Sequence, residues 1–404
     1  MKILITTDWY LPAINGVVTS VLNLADGLRA AGHDVRILTL SASRSSHVDK
    51  HVYYVGSVGV GKIYPKARMR AALAAPVIHA IIRWKPDVVH SQCEFSTYFM
   101  AKKISRVCGC PLVHTYHTVY EDYTKYFSPN AAIGKRMACV FSRRVLAGVN
   151  AVVVPTGKVR SLLRRYRVKA PIYEVPTGLE LERLMVRTQT PSVCRKDLGL
   201  SDDDFVMLYL GRLGAEKNIG ELIDLAASSA PNGAKLLLVG DGPYRGALED
   251  QVKRLGIDDR VIFAGMAPPE HIADYYRLGD IFISASKSET QGLTYLEAMA
   301  CGLPLLCRRD DCLNALIRHG ENGYMYSGAD EFSMIAAQLA GSGELRERIA
   351  LAAEKTIKEH YSKEAFASKM IKVYEEVLER QRYAEMEADG GSALAVAAAK
   401  SHSA

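Results

Sequence analysis

Short apolar runs alternate with helical stretches along this chain, and the alternation occurs twice. In the first pass, residues 2–7, 34–40, 87–90, 111–115, 151–155 and 172–175 read as strands. In the second, residues 205–211, 235–239, 260–263, 281–284 and 303–307 do. Helical patterns such as 17–31 and 71–84 separate most of them. Strands this short, continuously apolar and set between helices are buried on both faces, which is the signature of parallel sheets. A polar, strand-poor link falls between the two passes. The pattern predicts an α/β protein of two doubly wound, Rossmann-like domains facing a central cleft. The expected boundaries are 1–176, a linker over 177–200, and 201–361. A helix follows over 362–382, with apolar positions at Phe366, Met370, Ile371, Tyr374, Val377 and Leu378, and then a Gly-, Ala- and Ser-rich tail over 388–404 expected to lack fixed structure.

At 404 residues the chain exceeds one ordinary domain. No apolar run approaches the roughly 18 residues of a spanning helix. The opening MKILITTDWY lacks the apolar length and cleavage site of a secretory signal, so a cytoplasmic protein is expected. Eight scattered cysteines, with only Cys108 and Cys110 close together, fit free thiols in a reducing compartment better than a zinc site or disulfides. Charge is uneven: residues 1–180 hold 25 Lys and Arg against 10 Asp and Glu, and the remainder is net acidic. The basic excess concentrates in two clusters. KRMACVFSRR includes Lys135, Arg136, Arg143 and Arg144; KVRSLLRRYRVK runs from Lys158 to Lys169. Basic residues interleaved with apolar ones at helical spacing suit either a solvated helix face or an anionic membrane surface, where each cation contributes about 1 kcal/mol near the bilayer. Nucleic acid is not expected as a partner.

In doubly wound sheets ligands bind beyond the carboxyl ends of the strands, so the loops there carry the functional signal. Gly16 stands just before the first helix, where a glycine serves either a plain turn or the close approach of a ligand to the backbone. His117 follows the strand PLVHT and opens a dense polar and aromatic loop. Arg212 and Lys217 bracket the turn after FVMLYLG, and a guanidinium and an ammonium there suit a diphosphate. Gly240-Asp241-Gly242-Pro243 is too short for a dinucleotide fingerprint and reads as a tight turn. Ala264-Gly265-Met266 is a small-residue turn able to face a flat base. The most informative segment is SASKSETQGLTYLEAMACGLP, which sets Glu289 and Glu297 on either side of a helix N-terminus near Gly292 and Leu293. Helix N-termini attract phosphate, and carboxylates accept hydrogen bonds from hydroxyls. One ligand offering both is a nucleotide sugar. Asp310-Asp311, beside Arg308-Arg309, reads as a surface turn and not as a metal site.

Gly16, His117, GRLGAEKN, GDGP, VIFAG and SETQGLTYLEAMACGLP together resemble the retaining glycosyltransferases of GT-B fold known as family 4, in that family's order and spacing over nearly all of residues 1–380. HTVYEDY and SETQGLTYLEAM resemble the bacterial diacylglycerol glucosyltransferases within it. The resemblance implies a hexosyltransferase that moves glucose from a UDP-sugar to a membrane lipid, 1,2-diacylglycerol, with no cofactor and no metal. It implies a peripheral place on the inner face of the cell membrane. It makes His117, Arg212, Lys217 and Glu289 catalytic, with the donor held by Gly16, Arg212, Lys217, Gly265, Glu289, Gly292, Leu293, Thr294 and Glu297. It also has the last helix cross back to the first domain. Tyr10, Tyr120, Tyr123 and Tyr126 are candidates to line the acceptor passage. Gln291 departs from the aromatic residue that many members carry after the first glutamate. Alternatives are transfer to a soluble acceptor or phosphatidylinositol, and a nucleotide-sugar epimerase of the same fold.

Overall fold

A computed structural model of the protein describes residues 1–13, 15–60, 68–70, 75–121, 130–186 and 190–401, of which 131 and 388–401 are described in backbone only. The first half contains strands β1 (Lys2–Thr6), β2 (Asp34–Leu40), β3 (His47–Asp49), β4 (Val52–Val55), β5 (Val58–Gly59), β6 (Arg68–Met69), β7 (Val88–Ser91), β8 (Leu112–Thr115), β9 (Ala151–Val154) and β10 (Ile172–Glu174). Its helices are α1 (Gly16–Ala30), α2 (Pro76–Trp84), α3 (Ser96–Cys108), α4 (Ala131–Val145) and α5 (Gly157–Arg165). Among the described residues the main sheet runs β10-β9-β8-β7-β1-β2-β4-β3, parallel except for the antiparallel edge strand β3.

The second half contains α6 (Leu181–Met185), β11 (Val206–Leu210), α7 (Ile219–Ser228), β12 (Lys235–Val239), α8 (Arg245–Leu255), β13 (Val261–Gly265) and α9 (Ile272–Tyr276). These are followed by β14 (Ile281–Ser284), α10 (Leu293–Ala300), β15 (Leu305–Arg308), β16 (Tyr324–Tyr326), α11 (Ala329–Gly341) and α12 (Gly343–His360). Its parallel sheet runs β13-β12-β11-β14-β15-β16. Both sheets have the doubly wound order, with switch points between β1 and β7 and between β11 and β14.

Period-two alternation within strands buried on both sides explains the four apolar cores. Leu4 points into one cluster while Ile3 and Ile5 point into another. Likewise Val206, Leu208 and Leu210 face one layer and Met207 and Tyr209 the other. The first sheet is covered on one face by α2, α3 and α5, through residues such as Ile81, Met100 and Leu163. On the other lie α1 and the last helix, α13 (Lys363–Ser401). Phe366, Met370, Val373, Tyr374 and Val377 of α13 are buried in the first half's core, although the chain reaches α13 from the second half. The two connections lie side by side: Leu179 N–H donates to Tyr361 O (2.8 Å) and Lys363 N–H to Leu179 O (2.9 Å). A side chain on Gly178 would run into the Ser362 carbonyl.

Four features differ from the sequence reading. The hairpin β3–β4 and the short strand β16 were not anticipated, because three- and four-residue segments at a sheet's margin carry almost no periodic signal. The region after β7 forms α3, whose polar composition hides it. The tail expected to lack fixed structure continues α13 as helix to Ser401. Its alanine-rich sequence favours helix, and a helix already begun by packing extends at little further cost.

Candidate active site

Pairing of β11 with β14 brings two loops distant in sequence to one place. The turn Gly211–Lys217 leaves the carboxyl end of β11, and residues 285–292 leave that of β14. Lys217 Nζ donates to Glu289 Oε1 at 2.6 Å, with both side chains largely shielded from solvent. Arg212 Nη2 donates to Glu216 Oε1 at 2.7 Å. Burial alone would raise the Glu216 carboxyl, but its own backbone N–H and the charges of Arg212 and Lys217 hold it below the ordinary range. Glu216 tucks beneath the turn where a side chain on Gly214 would overlap its carboxylate. Glu216 was missing from the sequence reading, where it is one acid in a charged string. The Tyr209 hydroxyl donates to Arg212 O at 3.1 Å, and the charges of Glu289, Glu216 and Arg212 all act on it. The two cations and two acids of this cleft thus form one compact group.

The GDGP segment supports this turn. Leu213 N–H donates to Asp241 O (3.0 Å) and Tyr244 N–H to Leu213 O (3.0 Å). A Cβ at Gly240 would lie 1.9 Å from Gly211 O, so only glycine permits the approach. Gly240 N–H in turn donates to Gly265 O (2.7 Å), which ties the turns after β11, β12 and β13 together.

On the other side of the group stands α10. Gly292 precedes it in the left-handed region (φ 75°), where a Cβ would meet the Tyr295 ring at 2.4 Å. Leu293 and Thr294 open the helix. Glu297, one turn in, accepts from the Tyr276 hydroxyl at 2.7 Å, and that hydroxyl also reaches Thr294 O. Desolvation raises the Glu297 carboxyl despite the hydrogen bond. Gly16 is the first residue of α1, capped by Asn15, and a Cβ built there would lie 3.5 Å from Leu293 Cδ1. The N-termini of α1 and α10, one from each half, therefore open onto the same cleft, where their unpaired N–H groups suit an anion.

His117 lies past the carboxyl end of β8. Its Nε2 is 2.6 Å from Gln92 Oε1, a carbonyl acceptor, so the proton sits on Nε2 and Nδ1 keeps its lone pair. Burial pushes the imidazole down to about 4, leaving it neutral near pH 7. Gln92, fully buried, also touches His90, whose ring nitrogens bond Thr115 Oγ1 and the Tyr374 hydroxyl, each at 2.7 Å. A continuous polar chain thus runs from α13 to His117. Sequence reasoning found His117 and passed over Gln92 and His90, which sit in an unremarkable strand end, VVHSQ.

The remaining candidates divide. Lys135, Arg136, Arg143 and Arg144 are exposed on α4. Tyr10 packs edge-on against Tyr54, and Tyr120 lies against Tyr116 and Phe141 with its hydroxyl on Glu94, so both are partly committed to packing. Tyr123 and Tyr126 lie outside the described residues. Two residues stand elsewhere than the sequence suggests. Lys158, grouped by sequence with a basic membrane cluster, turns into the interface between the halves, because α5 starts where the cleft begins. Asp310, read as part of a surface turn, is nearly buried there as its ion partner. Gln291, which takes the place of an aromatic residue in many members, is buried with both amide atoms on the Thr177 backbone: Thr177 N–H to Oε1 (2.8 Å) and Nε2–H to Thr177 O (2.9 Å).

Comparison with known proteins gives the family and the fold. Residues 14–183 match the family described as Glycosyltransferase Family 4, and residues 193–356 match Glycosyl transferases group 1. The chain is 35% identical to the alpha-monoglucosyldiacylglycerol synthase of Streptococcus pneumoniae over 82% of its own length and 77% of that protein. It is 29% identical to the enzyme of the same name from Acholeplasma laidlawii, over 94% of this chain and 98% of that one. Among solved structures it superposes on sucrose-phosphate synthase of Thermosynechococcus elongatus with a TM-score of 0.73 at 20% identity, covering 94% and 99% of the two chains. It superposes on Anabaena HepE in complex with UDP-glucose with a TM-score of 0.71 at 18% identity, covering 93% and 100%. These likenesses establish the GT-B fold.

Proposed function

The chain belongs to glycosyltransferase family 4 and is a hexosyltransferase, and from that premise we propose that it transfers glucose from UDP-glucose to 1,2-diacylglycerol with retention at the anomeric carbon. The convergence of Arg212, Lys217 and Glu289 at the switch point of the second sheet carries this reading. In it, the two cations hold the nucleotide diphosphate and neutralise its charge as the bond from the sugar C1 to phosphate breaks. Such preorganised stabilisation is commonly the largest catalytic contribution. The N–H groups of α10 near Gly292, Leu293 and Thr294 add donors, and Gly16 lets the diphosphate approach α1. Glu289 accepts from sugar hydroxyls, Glu297 from the ribose, and Gly265 leaves room beside the base. His117, neutral, offers Nδ1 to the sugar. The acceptor hydroxyl attacks C1 from the face the phosphate leaves, and its proton passes to the departing phosphate oxygen. The two side-chain cations do the work a divalent metal would otherwise do.

The names of the two synthases and the surface of the first half support a lipid acceptor. Phe95 and Phe99 of the α3 region and Ile133, Met137 and Val140 of α4 are exposed apolar side chains, and the Phe95 ring stacks on Phe141 to join the two segments. With Lys135, Arg136, Arg143 and Arg144 they form an amphipathic face suited to resting on an anionic bilayer. No helix among the described residues is long and apolar enough to cross a membrane.

Product analysis tests the reading. The protein is incubated with UDP-glucose, UDP-galactose or GDP-mannose, each with diacylglycerol in mixed micelles. An α-glucosyl lipid from UDP-glucose is expected, at a rate unchanged by excess chelator. Arg212→Ala should lower kcat by about 100- to 1,000-fold. A product formed only with water-soluble acceptors would overturn the lipid assignment.

A further inference from the structure

The loop carrying Glu289 belongs by sequence to the second half, yet the first half holds it. Lys158, the second residue of α5, extends across the cleft. Its Nζ donates to Lys287 O (2.8 Å), to Glu289 O (3.2 Å) and to both oxygens of Asp310 (2.9 Å each). An ammonium has three protons, and this arrangement uses all of them on the two carbonyls and the carboxylate. The Asp310 carboxylate is fixed from behind, because Oδ1 also accepts from Cys312 N–H at 2.9 Å. Neighbouring positions are gripped too. Thr156 Oγ1 donates to Thr290 O (2.7 Å), and Gln291 exchanges two hydrogen bonds with Thr177. Residues 156 and 158 of the first half and 177 of the linker thus fix residues 287 and 289 to 291. The backbone that Lys158 holds at Glu289 bears the carboxylate that meets Lys217 at 2.6 Å.

We infer that Lys158, braced by Asp310, is a positioning residue for transfer: it sets where the Glu289 carboxylate stands relative to Lys217. This rests on the reading of Glu289 as a donor-sugar ligand. Lysine suits the task because three short donors radiate from one atom toward targets in different directions. The planar fork of arginine cannot reproduce that. A shift of about 1 Å in a substrate-positioning group is enough to cost on the order of 100-fold in rate.

The experiment uses the full-length protein and the variants Lys158→Met, Lys158→Arg, Asp310→Asn and Glu289→Gln, with Lys158→Met combined with Glu289→Gln. Steady-state transfer to diacylglycerol is measured alongside calorimetric binding of UDP-glucose and UDP, and alongside Tm. Lys158→Met is expected to lower kcat/KM for the donor by 10- to 100-fold while the acceptor KM stays within about twofold, and to erase most of the preference for UDP-glucose over UDP. In the Glu289→Gln background the same change should cost less than threefold. Asp310→Asn should show a weaker form of the same pattern, and Lys158→Arg should recover only part of the loss. If Lys158→Met lowers Tm but leaves the donor parameters of the folded enzyme unchanged, or if its full cost persists without the Glu289 carboxylate, the inference is wrong and the transferase reading stands. A wild-type protein that neither transfers glucose nor prefers UDP-glucose over UDP overturns both.

Discussion

His117 shows how much of a site depends on one neighbour. Gln92 accepts its Nε2 proton and burial keeps the ring neutral, so Nδ1, which we propose meets the sugar, is an acceptor at every pH above about 4. Transfer should therefore show no inflection at the ordinary histidine value of about 6.5. Gln92→Glu keeps the hydrogen bond but adds a negative charge, which favours the imidazolium by about 1–3 pKa units. The expected outcome is a new acid limb: kcat/KM of this variant falls as pH drops through about 6, while the unaltered protein stays flat to about 5. Stability carries the matching sign. Between pH 6.5 and 4 the unfolded chain binds a proton at residue 117 that the folded protein refuses, so falling pH costs stability there. His117, Arg212, Lys217, Glu289 and Glu297 were legible in the sequence because their motifs are local. Gln92, Lys158 and Asp310 were not, because each matters only through a partner on another element. Lys158 and Asp310 are 152 positions apart.

Single helices divide the labour of the first half. The apolar stripe of α5, Val159, Leu162 and Leu163, is buried against the sheet, and its first turn serves the interface, so its positive charge is only partly a surface feature. Helix α4 instead leaves Ile133, Met137 and Val140 in solvent at a spacing of three to four residues, which places them on one face. Replacing Ile133, Met137 and Val140 together with Ser removes apolar area without touching the core. Flotation with vesicles containing anionic lipid should then fall by at least tenfold. kcat toward diacylglycerol dispersed in detergent should change by less than about threefold, because detergent removes the need for docking. Retained flotation would show that the surface acts elsewhere. Basic interleaving identified α4 from sequence, whereas α3 escaped notice because its contribution, Phe95 and Phe99, emerges only when it stacks beside α4.

The molecule as a whole is built on two large sheets joined by two adjacent connections and a borrowed helix. Burying the α13 side chains Phe366, Met370, Val373, Tyr374 and Val377 contributes about 1.5–3 kcal/mol each by area. The crossing is close: a Cβ at Gly27 of α1 would lie 2.8 Å from Lys363 O. Ending the chain after Tyr361 should leave the first half's core open and give aggregated protein, whereas ending it after Arg382 should leave Tm within about 2 °C, as thermal unfolding would show. By itself, the order of residues determined the two doubly wound sheets and which strand ends bear functional groups, because strand burial and helix periodicity are written locally in side-chain polarity. Only the tertiary structure decided which loops meet, since strand order sets β11 beside β14 and the crossing of α13 and the linker sets one half against the other. That is why Glu289 is supplied by one half and held in place by the other.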